Sequence, residues 1–409
     1  MQEKKKLSLI AKIGIGFVIG LILGFIIGPM APQSPFISGV LIPVLQLVGN
    51  IFIALLKMLI VPLVFSSLIM GASSIGDPKT LGRIGIKTVA LYLGTTVVAV
   101  VIGLVLGNVI QPGVGMAIEG AKAAAKEPET IFNVLLNIFP SNPLKALVDG
   151  IMLQVIVFAL FLGVAATLIG EKGRAFLEFS SSLAEVMFKV TSIVMKTAPL
   201  GIFALIAVTA AKYGLAVLAP FAKVIFAIYL GCFLQVVLVY SGLITCVVHK
   251  SPLWFLRGVR EAMLAAFVTR TSAGVLPISM NNVQNNLGVS ENVSSFVLPL
   301  GATINMDGTA IYEGVCALFI AQAFGVDLSV GAQIGILMTA TLASIGTAGV
   351  PGAGLIMLSM VLVSAGLPIE GMALVAGIDA VLDMARTCVN VTGDMCVSAV
   401  VAKTEGEKL

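Results

Sequence analysis

GATINMDGTA, residues 301–310, lies in one of the most apolar regions of a very apolar chain. Asn305, Asp307 and Thr309 stand there between two hydrophobic runs, with Gly301 and Gly308 as helix breakers. A carboxylate and an amide in such surroundings are costly unless partners satisfy them. The stretch therefore reads as an interrupted helix, in which freed backbone carbonyls and side-chain oxygens form a polar centre.

Composition sets the class of protein around that centre. Of 409 residues, 58% are hydrophobic and only 11% charged, against roughly 25% charged in an average soluble domain. A soluble core cannot hide that imbalance, so the chain reads as an all-α polytopic membrane protein. A transmembrane barrel would alternate apolar and polar residues instead of running continuously apolar. The net charge of +4 is small and carried by short loops, which argues for membrane orientation and against nucleic-acid binding. Cys232, Cys246, Cys316, Cys388 and Cys396 show no metal-ligand spacing and read as small buried hydrophobes.

Lys4, Lys5 and Lys6 precede an apolar run too long for a signal peptide, so it reads as a first span with its N-terminus in the cytoplasm. Further blocks follow at about 36–73, 87–110, 142–169, 177–211 and 215–248. Lys79 with Arg83, Lys172 with Arg174, and Lys250 with Arg257 and Arg260 place alternate connections on the cytoplasmic side. Lys57, Lys189 and Lys196 within long helices read as snorkelling side chains, and His249 as an interfacial one.

TRTSAGVLP (269–277) and SIGTAGVPGAG (344–354) each break an apolar block at its centre. The halves hold about a dozen residues, too few for ~30 Å of hydrocarbon at 1.5 Å per residue. One kinked spanning helix is the alternative, but the length favours a re-entrant hairpin whose tip lies in protein or a water-filled cavity. The two tips resemble each other, and each precedes a span with a polar cluster. An internally repeated transporter shows that order.

The last span is GIDAVLDMARTCVNVTGD, residues 377–394. Asp379, Asp383, Arg386, Thr387, Asn390 and Asp394 share one helical face at its three- and four-residue steps. Each charge at membrane depth costs about 2.5 to 3.5 kcal/mol on insertion scales. The stripe must then face a cavity or a partner. An ion pair of Arg386 with Asp379 or Asp383 that merely locks helices is the structural alternative, but the stripe extends beyond one pair. Asn305 and Asp307, with Asn390 and Asp394, offer the hard oxygen ligands that suit an alkali cation. Asp383 can accept from a substrate ammonium, and Arg386 can grip a carboxylate in bidentate fashion. Thr387 and Asn390 add polar contacts, and Ser272 with the tip amides can hold a second carboxylate. The cargo so described is a small acidic zwitterion, aspartate or glutamate.

NMDGT, the serine-bearing first tip, GTAGVPGAG and the DxxRTxxNVxGD pattern resemble the dicarboxylate/amino acid:cation symporter family, which includes glutamate-transporter homologues. The resemblance covers nearly the whole chain and is densest at 267–405. It implies eight transmembrane helices plus two re-entrant helical hairpins related as inverted repeats. Residues 1–80 would form scaffold spans 1 and 2, and 112–215 scaffold spans 4 and 5. Residues 81–111 (span 3) and 216–409 would form a transport domain. That domain would hold span 6, hairpin 1 at about 252–286, span 7 at about 290–324, hairpin 2 at about 331–367 and span 8 at about 370–403. A homotrimer in the inner membrane, with both termini cytoplasmic, would move each transport domain as an elevator.

The resemblance also implies residue roles. Arg270, Thr271, Ser272, Thr309, Gly349, Asp383, Arg386, Thr387 and Asn390 would bind substrate. Gly301, Asn305, Asn390 and Asp394 would form one sodium site. Thr303, Met306, Ser344, Ile345 and Thr347 would form a second. Tyr92, Thr95 and Thr96 with Asn305 and Asp307 would form a third. No cofactor beyond the coupling ions is implied. The first tip reads TSA where many relatives have three serines, and Arg270 precedes it as in archaeal members, while Met384 stands where animal carriers have an arginine. Glu313 stands where sodium-only archaeal relatives have glutamine and animal carriers have a glutamate linked to proton transport, so it reads as a proton carrier or as a hydrogen-bonded cavity glutamate. A C4-dicarboxylate carrier of the same fold would not need Asp383, and a neutral amino acid exchanger would lack Arg386. An intramembrane aspartyl protease pairing Asp307 with Asp383 or Asp394 needs one acid held protonated, which Arg386 beside Asp383 opposes. A passive channel would not need the two hairpin tips.

Overall fold

The computed structural model describes residues 9–76, 83–116, 136, 139–214, 218–345 and 353–409. Among them every regular element is helical, as expected where little water is available to pair the backbone. The chain opens with α1 (Leu9–Met30), α2 (Ile42–Gly76) and α3 (Arg83–Ile110). The block predicted at 142–169 divides into α4 (Pro143–Asp149) and α5 (Met152–Leu168), because Gly150 takes a left-handed φ of 66°. The block at 177–211 also divides, into α6 (Arg174–Met195) and α7 (Ala198–Tyr213), which meet at 52° where Pro199 opens α7. α8 (Leu218–Leu234) continues to Val248 through two stretches of wider π-helical turns, Gln235–Tyr240 and Ile244–Val248. Residues 11–30, 37–55, 83–110 and 218–248 are each helical, long and apolar enough to cross a bilayer, and α6 with α7 does so as a bent pair.

α1 meets α7 through glycine. Gly16, Gly20, Gly24 and Gly28 recur every fourth residue, so they line one helical face. A methyl group on them would lie 2.5 to 2.6 Å from the carbonyl oxygens of Pro199, Phe203, Ala207 and Ala211 in turn. The two backbones therefore touch, the mode of association favoured where lipid supplies no hydrophobic driving force. α2 packs against α5, α6 and α7, completing one set of helices.

A second set surrounds the polar residues. α9 (Pro252–Thr269) ends at Arg270, whose φ of 55° breaks the helix, and Thr271 caps α10 (Ser272–Asn281) by accepting from Gly274 N at 3.2 Å. The break thus falls at Arg270 and Thr271, and Pro277 lies inside α10. α11 (Glu291–Ile304) and α12 (Asp307–Ala323) are separated by Asn305 and Met306 alone. α13 (Val330–Ala343) and α14 (Ala353–Ser364) flank the second predicted tip, of which Thr347 and Gly349 lie outside the described residues. After α15 (Met372–Ala376), α16 (Asp379–Thr404) runs through the middle, with α9, α11 and α12 packed on it and α3 against α12. The two sets meet where α13, α14 and α15 pack on α2, α5 and α7.

Cys232, Cys316 and Cys396 are buried as expected, but Cys246 is exposed and Cys388 half-buried. Both lie on helix faces that the surrounding packing leaves uncovered. Lys189, Lys196 and His249 are exposed, whereas the side chain of Lys57 lies outside the described residues.

The end of the chain is tied back by carboxylates. Glu405 accepts from Arg83 and from Lys87 Nζ at 2.7 Å, and Lys87 also donates to the Thr404 carbonyl at 3.1 Å. Glu407 accepts from Ser290 N at 2.9 Å and from its hydroxyl at 2.5 Å, at the start of α11. Hydrogen bonding from Arg83, then from Lys87, holds Glu405 below the usual glutamate range. The tie is therefore complete above about pH 5 and is lost as pH falls through the lowered folded value.

Gly24→Leu is expected to destabilise the fold by about 1 to 3 kcal/mol through overpacking against α7, read as a lower melting temperature. Gly14→Leu, where a methyl group meets nothing within 4 Å, should leave it unchanged. An equal effect at both positions would refute backbone contact as the cause. Glu405→Gln should speed amide exchange over 402–407 at pH 7 by up to about fivefold, the scale of an exposed ion pair. Unchanged exchange would mean that the tail is held without that carboxylate.

Candidate functional site

Three helices meet around Asp307, the first residue of α12. Its carboxylate accepts from the Thr96 hydroxyl at 2.7 Å, the Tyr240 phenol at 2.8 Å and Gln235 Nε2 at 3.0 Å. Gln235 Nε2 also reaches the Thr95 carbonyl at 3.2 Å. Of the third ion set expected from the sequence, Thr96 and Asp307 are brought into direct contact. The Tyr92 phenol donates instead to the Val297 carbonyl at 3.0 Å, and the Thr95 hydroxyl to the Tyr92 carbonyl at 3.1 Å.

Gln235 and Tyr240 were missed by sequence reasoning. Five residues apart, they fall on different faces of a helix with 3.6 residues per turn. The π-helical turn Gln235–Tyr240 widens the repeat and turns both toward Asp307. Two polar residues in the apolar run FLQVVLVY were the available signal.

Two residues before Asp307, Asn305 joins α11 to α16. Its Nδ2 donates to Asp394 Oδ1 at 2.9 Å and to the Asn390 carbonyl at 3.2 Å. Its Oδ1 is buried without a hydrogen-bond partner. Gly301 makes room, because a methyl group there would overlap the Asp394 carboxylate and the Tyr92 hydroxyl. Asn390 Oδ1 accepts from Gly308 N at 2.7 Å, while its Nδ2 lies 3.3 Å from Met306 Sδ and 3.4 Å from Thr309 Oγ1. Gly301, Asn305, Asn390 and Asp394 thus converge, with an amide oxygen left free for a hard cation.

The second expected ion set is less assembled. The Thr303 hydroxyl donates to the Leu300 carbonyl at 2.9 Å and that of Ser344 to the Thr341 carbonyl at 2.7 Å. Ile345 and Met306 are buried. Among the described residues no hydrogen bond joins these two elements.

The charged core of the site is Arg386. Its side chain is 1% exposed, 2.9 Å from Asp379 Oδ1 through Nη1 and 2.8 Å from Asp383 Oδ1 through Nη2. Its guanidinium lies 4.1 Å over the Tyr312 ring. Both ion pairs weighed as structural alternatives are therefore present. They leave Asp383 Oδ2 and Arg386 Nε buried without hydrogen-bond partners. α14 begins against the guanidinium, since a methyl group on Gly354 would sit 2.6 Å from Nη1. Arg270, Ser272, Thr309 and Thr387 are buried on the elements around it, whereas Gly349 is outside the described residues. Glu313, next to Tyr312, is buried with Oε1 unpartnered. Tyr312 was missed, although it adjoins Glu313 in the sequence. Among the described residues no cluster of three or more His, Cys, Asp or Glu side chains could hold a metal ion. A cation held here would draw instead on amides, backbone carbonyls and single carboxylates.

A family model described as the sodium:dicarboxylate symporter family matches residues 9–404. The chain is 36% identical over 408 residues to a proton/sodium-glutamate symport protein of Geobacillus stearothermophilus, covering 97% of this chain and 96% of that protein. It is 35% identical over 413 residues to a proton/glutamate-aspartate symporter of Escherichia coli (strain K12), covering 98% and 93%. A C4-dicarboxylate transport protein of Rhodospirillum rubrum is similar at 36% over 402 residues, covering 95% and 88%. These matches bear out the resemblance carried by the motifs, and they remove the protease alternative. With its several apolar helices of spanning length, the protein is a multi-pass membrane transporter and not an enzyme. The chain belongs to the sodium:dicarboxylate symporter family.

Proposed function

We propose that this protein is a secondary active symporter of an acidic amino acid, L-aspartate or L-glutamate, driven by sodium with a proton carried on Glu313. The observation that carries this reading is Arg386, buried between Asp379 and Asp383 beside an oxygen cage with a free amide acceptor. A guanidinium so placed offers a carboxylate its planar fork, and the free Asp383 Oδ2 offers an ammonium its acceptor. Arg270, Thr271, Ser272, Thr309, Gly349, Thr387 and Asn390 complete the substrate set. Sodium takes the Asn305–Asp394 cage, the Asp307–Thr96 cluster with Tyr92 and Thr95, and the carbonyl-rich set of Thr303, Met306, Ser344, Ile345 and Thr347.

The proposed architecture has eight spans and two hairpins, α9 with α10 and α13 with α14, in a homotrimer of the inner membrane with cytoplasmic termini. The scaffold comprises residues 1–80 and 112–215. Residues 81–111 and 216–409 move across the membrane as one elevator. The dense packing of α3, α9, α11 and α12 around α16, apart from the α1–α7 and α2 set, supports that division. A C4-dicarboxylate cargo is the second reading, favoured by the Rhodospirillum rubrum relative. It leaves Asp383 Oδ2 without a cationic partner, which is why the amino acid is preferred.

L-Aspartate uptake into proteoliposomes, with sodium and proton gradients imposed separately, tests the function. Uptake driven by neither gradient would overturn it. Asp383→Asn should weaken aspartate binding at least ~30-fold, the scale of a lost buried charge partner. Unchanged aspartate affinity, or succinate taken up in preference by the wild type, would give the site to dicarboxylates. Glu313→Gln should flatten the pH dependence of uptake while sodium dependence persists. A pH profile identical to wild type would remove the proton from Glu313.

A further inference from the structure

We infer that the groove along the N-terminal half of α9 binds the headgroup of an anionic phospholipid. The groove has a volume of about 590 Å³ and is lined by Trp254, Arg257, Gly258, Arg260, Glu261 and Asn286 among others. Lys250 stands at its mouth, its ammonium 5.4 Å over the Trp254 ring. Ser251 caps the helix by accepting from Trp254 N at 3.1 Å, and Asn286 donates to the Gly258 carbonyl at 2.7 Å, so the groove walls are held in place. Arg257 and Arg260 are exposed, and neither they nor Lys250 is in an ion pair among the described residues. The one carboxylate lining the groove, Glu261, is turned to Asn282 Nδ2 at 3.4 Å. Three cations therefore face one engaged anion.

The rest of the helix face matches the remainder of a lipid. Leu253, Arg257, Arg260, Leu264 and Val268 follow one another at three- and four-residue steps, which places them on one side of α9. Leu264 and Val268 are 66% and 71% exposed. The side thus passes from cations at the helix start to bare apolar side chains further in, the order of phosphate and acyl chain in a phospholipid. The Trp254 indole stands among the cations at the helix start, which suits the bilayer interface. Near an anionic leaflet each cation adds roughly a fivefold gain in binding. A soluble anion would explain the cations but not the apolar continuation. The inference rests on the proposed placement of the α8–α9 connection at the membrane surface, and not on which solute is carried.

Trp254 is the single tryptophan of the chain, so its emission reports on the groove alone. The full-length protein in phosphatidylcholine nanodiscs, with a minority of lipid brominated near the headgroup, provides the test. Brominated phosphatidylglycerol should quench Trp254 roughly threefold or more beyond brominated phosphatidylcholine at equal fraction. Arg257→Gln with Arg260→Gln should abolish that preference. Equal quenching by the two lipids in the wild-type protein overturns the inference, as does a preference that survives in the double variant. Relief of the quenching by millimolar inorganic phosphate would identify a soluble-anion site and likewise overturn it. The measurement needs no transport, so a failed uptake assay leaves it interpretable.

Discussion

A guanidinium 1% exposed cannot stand in a protein interior without anions, and much of the second helix set is arranged so that Arg386 has two. Asp379 and Asp383 lie on its own helix at spacings that α-helical geometry allows, so α16 carries its own counter-ions. Neighbouring elements approach where they lack side chains. Gly308 brings α12 onto the Arg386 backbone, and Gly354 brings α14 onto its guanidinium. Tyr312 supplies the remaining face as a π surface. Three hydrogen-bonding positions, Asp383 Oδ2, Arg386 Nε and Arg386 Nη1, still lack well-aligned protein partners. Buried groups of that kind are costly, and on the proposed function a charged cargo pairing with them would stabilise the site at the moment of binding.

The two helix sets are held by different chemistry, and the difference follows from the residues each carries. α1 and α7 carry no polar cluster, so in lipid they are left with dispersion and close backbone approach, which glycine at every fourth position permits. Such a contact is broad, with each glycine meeting one carbonyl. The polar set is joined by directional bonds from α3, α8, α11, α12 and α16. Its broken helices leave backbone groups free where a regular helix would present none.

Legibility in the sequence followed helical periodicity. The stripe from Asp379 to Asp394 was readable because α16 keeps its 3.6-residue repeat throughout, and all six polar residues are buried. NMDG was readable as an interruption because a carboxylate and an amide flank it, although Asp307 and Gly308 turned out to open α12 and not to lie in the gap. Where the repeat changes, the reading failed. Gln235 and Tyr240 share a face only through a π-helical turn, and no α-periodic pattern could pair them. The division at Gly150 and the bend before Pro199 lay inside blocks read for hydropathy alone, which carries no information about direction. At the first tip the break falls within the stretch read at 269–277, set by the left-handed Arg270 and the capping Thr271 hydroxyl, while Pro277 lies inside α10. The glycine repeat of α1 was visible in the letters, but apolar content masked its meaning.

The buried aspartates of this chain are not equivalent, and hydrogen-bond satisfaction separates them. Asp307 accepts from three donors supplied by α3 and α8, so the helices themselves solvate its charge. Asp394 has one amide donor, and Asp383 has one guanidinium contact with its second oxygen bare. A carboxylate already furnished with donors gains little from a cation unless those donors turn away, whereas a half-satisfied one gains at once. On the proposed cation sites, affinity would be set first at Asn305 and Asp394, while the bonds to Asp307 join α3, the extension of α8 and the start of α12. Tyr240 links the two roles, since its hydroxyl lies 2.8 Å from Asp307 and 3.3 Å from the Val389 carbonyl, one residue before Asn390. A shift of α16 that repositions Asn390 therefore bears on the donor shell of Asp307 through one shared phenol.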